Sequence, residues 1–155
     1  MASMKGASFF IVILDSENST MGNLEITVIE FENENFQKFI EEWESDVENF
    51  FPHYSEEDAE EGNILMLRYD NEIAGMYIYQ YKGNTIQVDL DYMIPKFRDL
   101  GIGKMFFEQK RTEFKGKGFK SIVSLTDNNV HRQYLVSLGF KLSEVHPDMY
   151  EIDLH

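Results

Sequence analysis

The chain has 155 residues, no cysteine, and 14 Lys and Arg against 28 Asp and Glu, for a formal net charge of −14. That length suits one domain with a real core, while zero cysteines exclude disulfides, thiolate metal sites and a cysteine nucleophile. No apolar run approaches a membrane span and no basic stripe stands ready to neutralise nucleic-acid phosphates, so both partners are disfavoured and a cytoplasmic protein is the default. The charge is unevenly spread. Residues 1–94 carry 4 basic against 20 acidic side chains, and residues 95–155 carry 10 against 8. An anionic ligand therefore suits the second half, and a cationic one, such as an amine, the first.

In chain order, residues 1–8 lack the charged-then-apolar layout of a secretory signal and read as a tag remnant or disordered extension. Phe9–Leu14 and Leu24–Phe31 read as strands joined by a polar connection. Phe36, Phe39, Ile40, Trp43, Val47 and Phe50 recur at helical spacing and predict one amphipathic helix over residues 35–50, stopped by Pro52. The acidic run Ser55–Glu61 predicts a short helix capped by Ser55. Three strands follow as a meander, Ile64–Tyr69, Ile73–Tyr81 and Thr85–Ile94, with Asp70-Asn71 and Lys82-Gly83-Asn84 at the turns.

The stretch Ile86–Lys104, IQVDLDYMIPKFRDLGIGK, carries the strongest chemical signal. An alternating strand runs to Pro95 and Arg98, then to Gly101 and Gly103 at the start of a helix over Ile102–Lys115. Glycines admit a ligand close to the backbone, and first-turn N–H groups lack intrahelical partners, so this arrangement is an anion cradle. It is neither a Walker loop, which needs G-x-x-x-x-G-K-[ST], nor a good dinucleotide fingerprint. Beyond it lie a strand at Phe119–Leu125, a helix at Asn128–Leu138 closed by Gly139, and a hairpin of Phe140–Val145 and Met149–Leu154.

Two segments together resemble the GNAT superfamily of acyl-CoA-dependent N-acyltransferases. Arg98-Asp99-Leu100-Gly101-Ile102-Gly103 matches the Q/R-x-x-G-x-G/A loop, and Asn128, Leu138, Gly139 and Phe140 match N-x-x-A-x-x-x-Y-x-x-L-G-F. The resemblance, over about Ile64–Leu154, implies a single α/β (α+β) domain across residues 1–155 with its CoA-binding core at about 85–140. The implied sheet is mixed, mostly antiparallel, of six to seven strands flanked by about four helices. It is splayed between the family's fourth and fifth strands, here those at Thr85–Ile94 and Phe119–Leu125, with a bulge just before the loop.

For the site, the resemblance implies acetyl-CoA as cosubstrate and no metal, with Met93 contacting pantetheine through its backbone. Arg98, Asp99, Leu100, Gly101, Ile102, Gly103 and Lys104 would surround the pyrophosphate, with Lys96 adding charge nearby. Asn128 would contact the CoA arm or cap its helix. The acceptor would be an amine of a small molecule or a protein, and a homodimer stays open. The family's usual general-acid tyrosine falls on Leu135, with Tyr134 beside it about 100° around the helix. The usual glutamate falls on Gln87. Alternation puts Gln87, Asp89, Asp91 and Met93 on one strand face, opposite Val88, Leu90 and Tyr92. That leaves Tyr134, Asp91 and Asp89 as candidate catalytic groups, and His131 as a surface or capping residue. A CoA-binding module without turnover remains an alternative, as does an interaction domain whose acidic region engages basic partners.

Overall fold

A computed structural model describes residues 11–14 and 23–155. Residues 1–8, Phe9, Phe10 and the connection at 15–22 lie outside it. Among the described residues eight strands form one sheet: β1 (Ile11–Leu14), β2 (Asn23–Ile29), β3 (Asn63–Tyr69), β4 (Glu72–Lys82), β5 (Thr85–Met93), β6 (Ser121–Leu125), β7 (Lys141–Leu142) and β8 (Met149–Asp153). Their order is β1-β2-β3-β4-β5-β6-β8-β7. All neighbours are antiparallel except β5 and β6. The count exceeds six or seven because the two-residue β7 adds an edge.

Among the described residues the helices are α1 (Glu34–Glu42), α2 (Glu44–Phe50), α3 (Glu56–Glu61), α4 (Ile102–Gly116) and α5 (Asn129–Ser137). The single helix expected over residues 35–50 is broken at Trp43, which ends α1 and starts α2 at φ −106°, ψ 17°. The break lets Phe36 and Phe39 of α1 and Val47 of α2 join one cluster, with Trp43 packed on its edge. Ser55 caps α3 as expected, accepting from the Asp58 N–H at 3.3 Å. Among the described residues no helix is long and apolar enough to cross a membrane.

The sheet is covered on both faces. On one side Tyr77, Tyr79, Ile86 and Val88 pack with Phe106, Phe107 and Phe114 of α4 and Leu135 of α5. On the other, Met76, Ile78, Leu90 and Tyr92 pack beneath α1–α3. Val88 and Leu90 thus face opposite layers, although strict alternation would put them together. The cause is a bulge in β5. Ile78 pairs with Leu90 but Tyr79 with Val88, which leaves Asp89 as an extra residue. Beyond it the alternation is inverted, so the face expected to hold Gln87, Asp89, Asp91 and Met93 is divided. Asp91, opposite Tyr77, and Met93 turn to the α4–α5 side.

The β4–β5 contact that carries this inversion is tight at Gly75. A Cβ there would collide with the Tyr92 carbonyl oxygen, a backbone atom that cannot swing away. Gly75→Ala is therefore expected to cost about 2–3 kcal/mol in urea unfolding.

Candidate active site

The ladder between β5 and β6 begins at Thr85–Ser121 and ends at Val88–Ser124, while β5 runs on to Met93. The strands diverge there, and Asp89–Met93 have no strand partner on the β6 side. At the end of β5 the Ile94 N–H still donates to the Ala74 carbonyl at 2.9 Å, tying the exit of the strand to β4. Pro95–Leu100 then forms a 3-10 turn rather than an open loop. Gly101, at φ +73°, reverses the chain in a left-handed conformation and caps α4. The first α4 N–H bonded back to the helix start is that of Met105, donating to the Gly101 carbonyl; those of Ile102, Gly103 and Lys104 stand before it at the helix N-terminus, where N–H groups have no intrahelical acceptor and suit an anion. A Cβ on Gly103 would stand 3.0 Å from the Tyr134 hydroxyl, so α4 and α5 meet closely here.

A cavity of about 270 Å³ opens from this cradle into the divergence. Asp91, Tyr92 and Met93 of β5 line it, with Arg98, Gly101, Gly103 and Lys104, with Val130, His131 and Tyr134 of α5, and with Phe50 and Phe51 at the end of α2. Asp91 has no hydrogen-bond or ion-pair partner among the described residues. Burial pushes its carboxyl up to about 7, because nothing compensates the charged form. The Tyr134 hydroxyl is buried without a partner, and its pKa is raised by burial first and the Asp91 charge second. The Tyr77 hydroxyl, across the ladder from Asp91, is also buried and unpartnered.

His131 is not at the surface. It is 5% exposed, because the end of α2 covers it and its ring meets Phe51 at 4.5 Å between centroids. Burial lowers its pKa to about 4, against a weaker opposing influence from the Phe50 backbone carbonyl, so it is neutral near pH 7. Neither ring nitrogen makes a hydrogen bond of good geometry.

Several expected residues go elsewhere. Asp89 does not line the cleft. The bulge leaves it beside Gln80 and Gln87, whose amides donate to its carboxylate at 2.6 and 2.8 Å. Asn128 takes the capping role: it accepts from the His131 N–H at 3.0 Å and donates to the Asn49 carbonyl at 3.1 Å. Leu135 is core, and Tyr134 occupies the cleft because α5 turns Val130, His131 and Tyr134 toward it. The Arg98 side chain reaches back. Its Nε donates to the Met93 carbonyl at 2.8 Å, and its guanidinium lies 5.1 Å from the Phe50 ring and 5.2 Å from the Tyr92 ring. Asp46 of α2 stands 3.7 Å from that guanidinium and accepts from the Tyr92 hydroxyl at 2.7 Å. Lys96 is paired with Glu72 at 2.8 Å, away from the cavity, whereas Lys104 lines it. Asp99 contributes backbone to the 3-10 turn, Leu100 is exposed, and Ile102 is buried in the core. The sequence reading missed His131, Phe50 and Phe51 as cleft residues. The three-residue spacing of His131 and Tyr134 was the available signal for the first.

A family model described as "Acetyltransferase (GNAT) family" matches residues 26–140. No curated protein matches the sequence. Among solved structures, N-acetylglutamate synthase from Neisseria gonorrhoeae, complexed with coenzyme A and N-acetyl-glutamate, is similar at a TM-score of 0.65 and 14% identity. The match covers 85% of this chain and 35% of that one, so this chain spans about a third of that protein's length. The ribosomal-protein-S18-alanine N-acetyltransferase of Escherichia coli matches at 0.61 and 13% identity, over 84% of this chain and 94% of that one. An acetyl transferase of Salmonella typhimurium that modifies the N-terminal serine of ribosomal protein L7/L12 matches at 0.64 and 13%, with the same coverage. At these identities the likeness is one of fold.

The Asp91 environment has a measurable signature in stability. A carboxyl whose folded pKa is raised to about 7 contributes stability that is full below about pH 4 and is lost progressively as pH rises from there to about 7. Asp91→Asn is therefore expected to stabilise the ligand-free protein by up to about 4 kcal/mol at pH 8, and by almost nothing below pH 4, in denaturant titrations at both pH values.

Proposed function

The chain belongs to the GNAT family of acetyltransferases, and from that premise we propose that it moves an acetyl group from acetyl-CoA to an amine by direct attack in a ternary complex. The observation that carries this reading is Asp91. It is an unpaired carboxylate with its pKa near 7, facing the buried Tyr134 hydroxyl in a cleft that begins at a helix-terminal anion cradle. Coenzyme A in the similar N-acetylglutamate synthase structure supports the choice of cosubstrate.

The residues present fit that cosubstrate. Gly103 leaves room where a Cβ would crowd Tyr134, and the N–H groups of Ile102, Gly103 and Lys104 suit a pyrophosphate, with the Lys104 ammonium beside them. Acetyl-CoA supplies the thioester carbonyl that the amine attacks. Asp91 accepts the proton that the amine must lose, either directly or through one water. A base near pKa 7 is half ionised at neutral pH, which suits that task. Backbone N–H groups of β5 beyond Val88 lack β6 partners and are available to the carbonyl oxygen as charge develops on it. Tyr134 stays protonated throughout the working range and donates its hydrogen to the departing sulfur. The reading of a CoA-binding module without turnover drew on Leu135 and Gln87. Both are turned from the cleft, and Asp91 and Tyr134 stand in it.

Two measurements test the proposal. Calorimetry is expected to show CoA and acetyl-CoA binding, weakened about three- to tenfold by Lys104→Ala and more so at low salt. A thiol-release assay across an amine panel is expected to show turnover whose kcat/KM rises with pH through about 7. Asp91→Asn should remove that ascending limb and lower kcat by about 10²–10⁴, with CoA affinity retained. Turnover unaffected by Asp91→Asn would refute the assignment.

A further inference from the structure

Arg98 stands three residues before Gly101 and the cradle, but its side chain is committed elsewhere. The Ile94 N–H turns to Ala74 of β4, so the Met93 carbonyl beside it turns the other way, into the gap beyond the end of the β6 ladder. No strand serves that carbonyl, and the Arg98 Nε caps it at 2.8 Å. From this anchor the guanidinium lies over the rings of Phe50 and Tyr92 at 5.1 and 5.2 Å, with Asp46 3.7 Å away. Asp46 also accepts from the Tyr92 hydroxyl at 2.7 Å, which closes the ring of contacts. Asp46 and Phe50 are one turn apart on α2, so Arg98 grips one face of that helix.

What the grip joins gives its role. The phosphates of the cosubstrate take the N-terminus of α4, while Phe50 and Phe51 wall the cavity from α2, on the side left for the acceptor. A planar guanidinium stacks on rings while its N–H groups reach a carbonyl and a carboxylate; an ammonium, a point charge, does not combine these contacts. The positive charge of Arg98 is matched by Asp46. Resting on the acetyl-transfer reading, we propose that Arg98 is a positioning residue that fastens α2, the acceptor wall, to the cosubstrate cradle, so that filling the cradle steadies that wall.

The link is short and made of the chain itself. The 3-10 turn Pro95–Leu100 that carries Arg98 runs directly into Gly101 and the first N–H groups of α4. A pyrophosphate seated there restrains the turn, the turn holds Arg98, and Arg98 holds Asp46, Phe50 and Tyr92. The second ligand then meets a wall that is already ordered, and by linkage each ligand tightens the other by the same factor. The chain also carries its own reporter. Trp43, its single tryptophan, stands at the start of α2 with its ring 6.2 Å from that of Tyr92.

The test measures acrylamide quenching of Trp43 with and without saturating CoA, beside calorimetric CoA titrations and thiol release with alanine amide, cadaverine and phenethylamine. In the unaltered protein CoA is expected to lower the quenching constant. Arg98→Met is expected to abolish that drop while changing the Kd for CoA less than about threefold, and to raise KM for the amine about five- to tenfold with a smaller change in kcat. Arg98→Lys, which keeps the charge but not the plane, should recover only part of the KM loss. Asp46→Asn tests the same link without touching the turn: it should raise KM as well, and its effect should be less than additive with that of Arg98→Met. No drop in the unaltered protein, or an equal drop with Arg98→Met, overturns this inference alone. So does a CoA Kd weakened about tenfold or more by Arg98→Met, which would put the guanidinium on the pyrophosphate. Release with no amine from a protein that binds CoA overturns the acetyl-transfer reading, and the quenching result then decides the link between cradle and α2 by itself. No binding of CoA overturns both.

Discussion

Parallel strands β5 and β6 share four register pairs and then part company after Val88–Ser124, and the cleft depends on that parting. The same segment carries the extra residue, Asp89, that inverts the facing of everything after it. One irregularity thus performs two tasks. It ends the β5–β6 ladder early enough to leave backbone groups without a strand partner, and it carries Asp91 from the α1–α3 layer to the α4–α5 layer. There Asp91 meets Tyr134 and the cradle. A regular strand would put the carboxylate beneath α1–α3, away from them.

The divergence is held open by contacts from both sides of the gap to the end of α2. Arg98, after β5, lies against Phe50 and near Asp46. Thr126 and Asn128, after β6, donate to the carbonyls of Phe50 and Asn49 at 3.4 and 3.1 Å. Carbonyls at a helix C-terminus have no intrahelical donors, so α2 gains two of its missing partners from the segment after β6, while Arg98 after β5 packs on its Phe50 ring. The helix is bridged across the gap and its Phe50 and Phe51 become cleft walls. Asn128 thus makes the helix cap, one of the two roles that the family resemblance left open for it.

Desolvation sets the chemistry inside. Asp91, Tyr77 and Tyr134 bring three polar groups together with no cation paired to Asp91 among the described residues, so its carboxyl rises toward neutrality and the phenols stay protonated. The contrast with Asp89, two residues earlier, is instructive. Amide donors at 2.6 and 2.8 Å oppose the burial of that carboxylate and hold it in a satisfied network on the other face. Residue type alone does not distinguish the two aspartates; their partners do.

The anion cradle was legible from sequence because it is local. A proline, two glycines and a helical pattern dictate backbone conformation over about ten residues, and the resulting N–H groups need no distant partner to point outward. The strand and helix order was legible for the same reason, since periodicity reports which residues meet a core. The bulge was not. Ile86, Val88, Leu90 and Tyr92 alternate without interruption, and because both faces of this sheet are buried, that pattern is satisfied whichever face each one meets. Nor did helical spacing reveal the break at Trp43, which exists to keep two stretches of helix on one curved surface. The choice of Tyr134 over Leu135, and the burial of His131 under α2, likewise followed from how α5 seats against α4 and the sheet. The amino-acid order by itself determined the cradle and the succession of elements. Packing across the gap decided which carboxylate, phenol and imidazole face it, because only the assembled layers settle which side of a two-faced sheet each residue meets.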